Sequence, residues 1–226
     1  MKHSYFFAII SLLFFSPAFV SAHQPYLVDG EKQIVVIDPE VSKAYYGEFN
    51  GTSTEFMIRE EKPFELYLNI LVPAIQNIPT NITALVKKDG KTVAFLEASS
   101  TEWVREYEPY GGDDYFKGPE FRTHATSGTY TVTISRPENS GKYVLVVGEK
   151  ETFTFDEMLR AVGVLPSLKS DYMDKPAWTA YFNRIGIFML MAFVGCIIAF
   201  FILGEIVRGI GNLFGRVFGK PKHFHD

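Results

Sequence analysis

The chain of 226 residues has a single cysteine, Cys196, and that one lies inside a long apolar run. Upstream of it, disulfide staples and a cysteine nucleophile are therefore excluded, and any domain there must be held by its core. An exported domain without disulfides suits a bacterial or archaeal surface better than a eukaryotic one. Histidine is scarce as well: of five in the chain, only His23 and His124 fall between residues 23 and 184. No Gly-x-Ser-x-Gly elbow, phosphate-binding Gly-x-x-x-x-Gly-Lys loop or His-Glu-x-x-His pair occurs, which removes the familiar hydrolase, nucleotide and zinc-protease patterns. Basic charge is in deficit too. Residues 23–184 carry 24 acidic against 17 basic side chains, a net of −7 that disfavours nucleic acid as a partner.

Apolar runs, by contrast, are present at both ends. Met1-Lys2-His3 precedes "YFFAIISLLFFSPAFV", and Val20-Ser21-Ala22 offers small residues at a cleavage site. Residues 1–22 read as a secretory signal rather than a retained anchor, because Pro17 interrupts the helix and a small-residue exit follows. Cleavage after Ala22 makes His23 the new N-terminus. The second run, "IGIFMLMAFVGCIIAFFIL" (185–203), has no charge and no polar face, and its length spans a bilayer core. It reads as a transmembrane helix. Beyond it Arg208, Arg216, Lys220 and Lys222 oppose only Glu205 and Asp226, so the tail prefers the cytoplasm. The expected topology is single-pass in the cell membrane, with the N-terminal region outside.

In the tail (204–226), Ile206, Ile210, Leu213, Phe214, Val217 and Phe218 recur at helical spacing opposite basic residues. This pattern predicts an amphipathic helix lying along the inner leaflet, in contact with lipid. Gly211, Gly215 and Gly219 form a small-residue ridge compatible with self-association. On the other side of the span, Trp178, Tyr181 and Phe182 stand where aromatic rings settle among headgroups.

Between the two runs, short β-branched and aromatic segments recur at 33–37, 43–49, 54–59, 64–72, 82–88, 92–98, 128–135 and 142–148. Asp89-Gly90 marks a hairpin between two of them. Eight strands over some 125 residues predict an antiparallel β-sandwich at 23–150. Thr154 and Glu157 then form a capping box that starts a short helix, about 155–162. Pro166 and Pro176 are expected to break it, so 151–184 reads as that helix followed by a membrane-proximal stalk. "SGTYTVTISRPENSGKYVLVVGE" (127–149) resembles the terminal hairpin of secreted bacterial jelly-roll and immunoglobulin-like accessory modules of the pre-peptidase C-terminal type. The resemblance implies a sandwich and two paired closing strands; it covers about a tenth of the chain.

Two places offer chemistry. "TEWVREYEPYGGDDYFKGPEFRTHA" (101–125), read as a loop, gathers Trp103, Tyr107, Tyr110 and Tyr115 beside Asp113 and Asp114. Exposed aromatics among carboxylates suit a sugar ring or a protein partner, and the oxygens alone suit calcium less well, because their spacing fits no calcium loop. The plainer reading has the same aromatics cap the sandwich core. A terminal His23, with its α-amine, and a second imidazole from His124 would suit copper in a nitrogen-only site. The plainer reading makes one a solvated terminus and the other a surface residue. The expectation is thus a non-catalytic, membrane-anchored surface module without a cofactor, binding a protein or glycan. A copper-binding sandwich and an accessory subunit of a membrane complex are the alternatives.

Overall fold

Alternation of large apolar and small polar residues builds two facing sheets. The computed structural model describes residues 23–51, 53–98 and 101–218, with side chains as far as Gly215. Eleven strands lie among the described residues: β1 (Gln24–Val28), β2 (Gln33–Val36), β3 (Lys43–Asn50), β4 (Thr54–Glu60), β5 (Phe64–Pro73), β6 (Thr83–Lys88), β7 (Lys91–Glu97), β8 (Val104–Glu108), β9 (Asp113–Ala125), β10 (Gly128–Ser135) and β11 (Ser140–Val147). A six-stranded sheet runs β1-β3-β11-β5-β9-β8, and a five-stranded sheet runs β2-β4-β10-β6-β7. Pairing is antiparallel except at one edge of each sheet, where β1 joins β3 and β2 joins β4 in parallel.

The core lies between the sheets. Phe56, Ile58, Ala84, Val86, Tyr130, Val132 and Ile134 on one side meet Leu66, Leu68, Ile70, Val72, Tyr143 and Leu145 on the other. Removing each large side chain from water contributes about 2 kcal/mol. All eight expected strands are present, and Asp89 (φ 47°) with Gly90 (φ 81°) makes the two-residue turn between β6 and β7.

The structure departs from expectation in four places. Residues 101–125 are not a loop: β8 and β9 pair there, and β9 is the longest strand, bonded to β5 along most of its length. β10 and β11 are consecutive, as the resemblance implies, yet they belong to opposite sheets and face each other across the core. The Arg136 side chain holds the arch between them, with Nε donating to Asn81 Oδ1 (2.7 Å) and Nη1 to the Ser140 carbonyl.

The third departure concerns 151–184, which is folded onto the sandwich. α1 runs Phe155–Ser167 from the expected capping box, passes through Pro166 and continues as a π turn (Leu168–Tyr172) and a 3-10 turn (Ala177–Tyr181). Pro166 has no N–H to give to the Val162 carbonyl one turn back. The Tyr181 hydroxyl donates to that carbonyl instead, at 3.3 Å, and the α-helix gives way to the π turn after Ser167. Leu165, Leu168, Tyr172, Met173 and Ala180 then bury a second cluster against Ala44, Tyr67, Tyr115, Val144 and Val146 on the outer face of the six-stranded sheet. This explains why 143–147 is buried on both faces.

Fourth, the apolar run and the tail form one helix, α2 (Arg184–Phe218), with no break between Leu203 and the tail. It is long and apolar enough to cross a membrane, with mean hydropathy 2.8 over its most apolar 18 residues. At 1.5 Å per residue it measures about 52 Å, against roughly 30 Å of hydrocarbon. Residues 206–214 of the tail are helical, as expected, and belong to the same helix as the apolar run. The signal segment 1–22 lies outside the described residues, as do Gly219 and the side chains of Val217 and Phe218.

Candidate functional site

Glu108, Tyr110, Asp113 and Tyr115, from the acidic and aromatic set of 101–125, meet where α2 leaves the sandwich. Asp113 opens β9 beneath the π turn and is 3% exposed. Lys169 Nζ meets its Oδ2 at 2.5 Å and Lys175 Nζ its Oδ1 at 2.8 Å. Lys169 is itself buried and also donates to the Gly111 carbonyl at 2.6 Å. A buried charge is tolerated only when paired and hydrogen-bonded, and here one carboxylate is shared by two ammonium groups from the segment that covers it.

The β8–β9 turn completes the joint. Glu108 folds back over the turn and accepts from the amides of Tyr110 (2.8 Å) and Gly111 (2.5 Å). Burial pushes the Glu108 carboxyl above its ordinary range, and those two amides oppose the shift. Gly112 has φ +73°, and a side chain there would run into Asn183. Asn183 Nδ2 donates to the carbonyls of Gly111 (2.8 Å) and Ala180 (2.7 Å). Its Oδ1 accepts from the Gly186 amide at 3.0 Å, satisfying a free N–H in the first turn of α2 before the helix enters its apolar stretch. At Gly186 the Tyr181 carbonyl occupies the space a Cβ would need. The Arg184 guanidinium stands 5.5 Å from the centre of the Tyr110 ring. One side chain, Asn183, thus joins the turn, the 3-10 turn and α2.

The residues expected to form a ligand surface therefore divide. Asp113 and Tyr115 are buried in the joint, and the Tyr115 and Tyr46 hydroxyls are 3.2 Å apart. Asp114 pairs with Arg105 at 2.9 Å. Trp103 lies flat on Gly118 at the rim of the core. Tyr110 is half-buried, and of the four aromatics only Tyr107 is well exposed. The aromatics mainly cap and seal. Among the described residues no group of three or more histidine, cysteine or acidic side chains is placed to hold a metal ion.

The two histidines are held apart. His23 precedes β1 and His124 is on β9, four strand spacings away in the same sheet, roughly 19 Å by the usual strand separation. His124 Nδ1 donates to Glu65 Oε1 at 2.6 Å on the exposed surface. His23 Nδ1 lies 2.5 Å from Ser42 Oγ. Burial, with a smaller contribution from Lys117, lowers its imidazole to about 4, so His23 is neutral at pH 7. This placement does not form a shared copper site. The strand after His23 is fastened: Gln24 Nε2 donates to the Thr152 carbonyl at 2.7 Å, and Arg160 lies 3.9 Å over the Tyr26 ring. Gly211 and Gly215, of the tail ridge, face open space.

Sequence reasoning missed Lys169, Lys175 and Asn183. The available signal was a pair of lysines and an asparagine in an otherwise apolar, aromatic approach to the span.

No family model matches the chain, and no curated protein matches it. Among solved structures it is similar to the pre-peptidase C-terminal domain of a collagenase from Bacillus anthracis, at 12% identity and TM-score 0.33, covering 52% of this chain and 96% of that one. That module is of the type residues 127–149 resemble. A β-glucosidase from Paenibacillus barengoltzii matches at 8% identity and TM-score 0.26, covering 58% of this chain and 14% of that one. An insecticidal crystal protein matches at 13% and 0.22, covering 42% and 15%. Scores this low carry no function across.

Two measurements test the joint and its surroundings. Asp113→Leu leaves Lys169 buried without its carboxylate and is expected to cost about 3–5 kcal/mol in denaturant unfolding. A cost below about 1 kcal/mol, at the level of a surface substitution, would show that the pair is not buried in solution. For His23, the unfolded chain takes up a proton near pH 6.5 and the folded chain only near pH 4. Stability is then full above about pH 6.5 and falls as pH drops toward 4. His23→Gln should remove that part of the slope; an unchanged profile would place the imidazole in water.

Proposed function

We propose that this is a non-catalytic, membrane-anchored β-sandwich that stands outside the cell and binds a protein partner across the open face of its five-stranded sheet. The cleavable signal read at 1–22 and the basic tail support the orientation, with α2 as the single span and 219–226 in the cytoplasm.

One observation carries the reading: the two sheets are treated differently. The outer face of the six-stranded sheet is covered by the chain's own α1 and turns. No described element covers the outer face of the five-stranded sheet. There Val35 and Phe95 stand 61% and 58% exposed at opposite edges, with Val93 also exposed. Between them lie the half-buried Met57 and Leu85 and the row Thr129, Thr131 and Thr133. Antiparallel sheets ordinarily turn a polar face to water. Here Glu55, Arg59 and Lys87 stand among these residues, so the open face mixes apolar, hydroxyl and charged side chains, as an interface with a polar rim does. A protein partner fits better than a glycan, since of the residues expected to hold a sugar Asp113 and Tyr115 are buried, Asp114 is paired with Arg105 and Trp103 packs on Gly118.

The test is crosslinking in native membranes from a photoreactive residue at Thr131, on the full-length protein. A discrete adduct is expected, and Phe95→Glu combined with Val35→Glu should abolish it while Tyr107→Ala leaves it intact. Loss with Tyr107→Ala alone, or no adduct at all, would contradict the proposed face.

A further inference from the structure

α1 buries only part of its circumference. Ala161 and Leu165 pack inward, and Arg160 reaches β1, where it donates to the Pro25 carbonyl at 2.5 Å. On the remaining side Phe155, Met158, Leu159 and Val162 follow one another at spacings of three and four, which sets them on an arc of about 100°. Phe155 is 71% exposed and Leu159 57%. A helix of a water-facing domain places polar residues on such an arc, and this one places none.

The stripe is continuous with the approach to the span. Its last residue, Val162, is the one whose carbonyl accepts from Tyr181. Tyr181 lies between Trp178 and Phe182, whose rings meet edge to face at 5.3 Å and are 66% and 78% exposed. Two residues on, α2 begins, and its exposed surface is Ile187, Phe188, Leu190 and their successors. A single apolar surface thus runs from α1 through the 3-10 turn onto the helix that crosses the bilayer. Trp178 and Phe182, side chains of the kind that settle among headgroups, stand between the two helices along the chain. Because the joint around Asn183 fixes these elements to one another, a membrane that takes α2 meets the 3-10 turn and α1 as well.

We infer that α1 is a second membrane contact: its Phe155–Met158–Leu159–Val162 face lies in the outer boundary of the same bilayer that α2 spans. The occupant of this face is lipid, and its effect is to hold the six-stranded sheet toward the membrane and turn the open face of the five-stranded sheet away from it. The inference rests on the membrane anchorage proposed above and not on the partner.

The experiment uses full-length protein with Cys196→Ser, reconstituted in phosphatidylcholine nanodiscs, with single nitroxides at 155, 158, 159 and 162. References are placed at 93 on the sandwich and 190 in α2. Collision with oxygen and with a water-soluble nickel chelate reports depth. Labels on the α1 arc are expected to resemble 190, with nickel collision several-fold below that at 93, whereas a label at Asp156 should resemble 93. Arc labels indistinguishable from 93, while 190 reports lipid, would overturn the contact and leave the anchorage intact. If 190 also reports water, the anchorage fails and the inference falls with it. Phe155→Glu together with Leu159→Glu is expected to shift the labels at 158 and 162 to aqueous behaviour. An unchanged reading there would also contradict the contact.

Discussion

A carboxylate taken out of water must keep its counter-charges, and the arrangement of this protein follows from where Asp113 finds them. Lys169 and Lys175 both come from the segment between the sandwich and the span. Such a group adds little net stability over well-packed apolar residues, because desolvation consumes most of the Coulomb gain. It does penalise heavily any arrangement that separates the charges. The segment is therefore a layer of the fold, and the helix that follows leaves the sandwich at a fixed place. Asn183 completes the constraint by bonding the β8–β9 turn and the first turn of α2 at once.

Packing extends the same logic across the sheet. With the outer face of the six-stranded sheet covered, Val144 and Val146 are as buried as Tyr143 and Leu145, and β11 becomes the central strand between two cores. The five-stranded sheet has one core only, and its other face is left to water or to a partner. The asymmetry distinguishes the surfaces: the outer face of the six-stranded sheet is packed against the chain's own helix and turns, and that of the five-stranded sheet is open.

Most of this was legible where one physical signal acted alone. Strands β4, β6 and β10 alternate cleanly because one face is buried, and Thr154 with Glu157 announced α1. β9 was not legible, since Gly118-Pro119 interrupts it near a shift of register against β5. Its acidic residues also resemble a solvated loop until the covering lysines are known. β1 was hidden by Pro25 and by its position directly after the apolar leader. The swap of β10 and β11 into opposite sheets could not be read from local pattern, because two facing strands and two paired strands share the same alternation. Pro166 and Pro176 do keep 155–181 from being one α-helix: α1 ends at Ser167 and gives way to the π turn, and the 3-10 turn starts after Pro176. For the site, composition located the right segment of chain but not its purpose, as the partners of Asp113 lie about sixty residues on.

The central claim is that sandwich and span are joined without play. It is tested most directly by pulsed electron–electron double resonance between nitroxides at Thr131 and Leu190, in full-length Cys196→Ser protein in nanodiscs. The account predicts one narrow distance distribution, broadened when Asn183→Ala releases the turn from α2. A broad distribution in the unaltered joint, unchanged by Asn183→Ala, would show a flexible tether and contradict it.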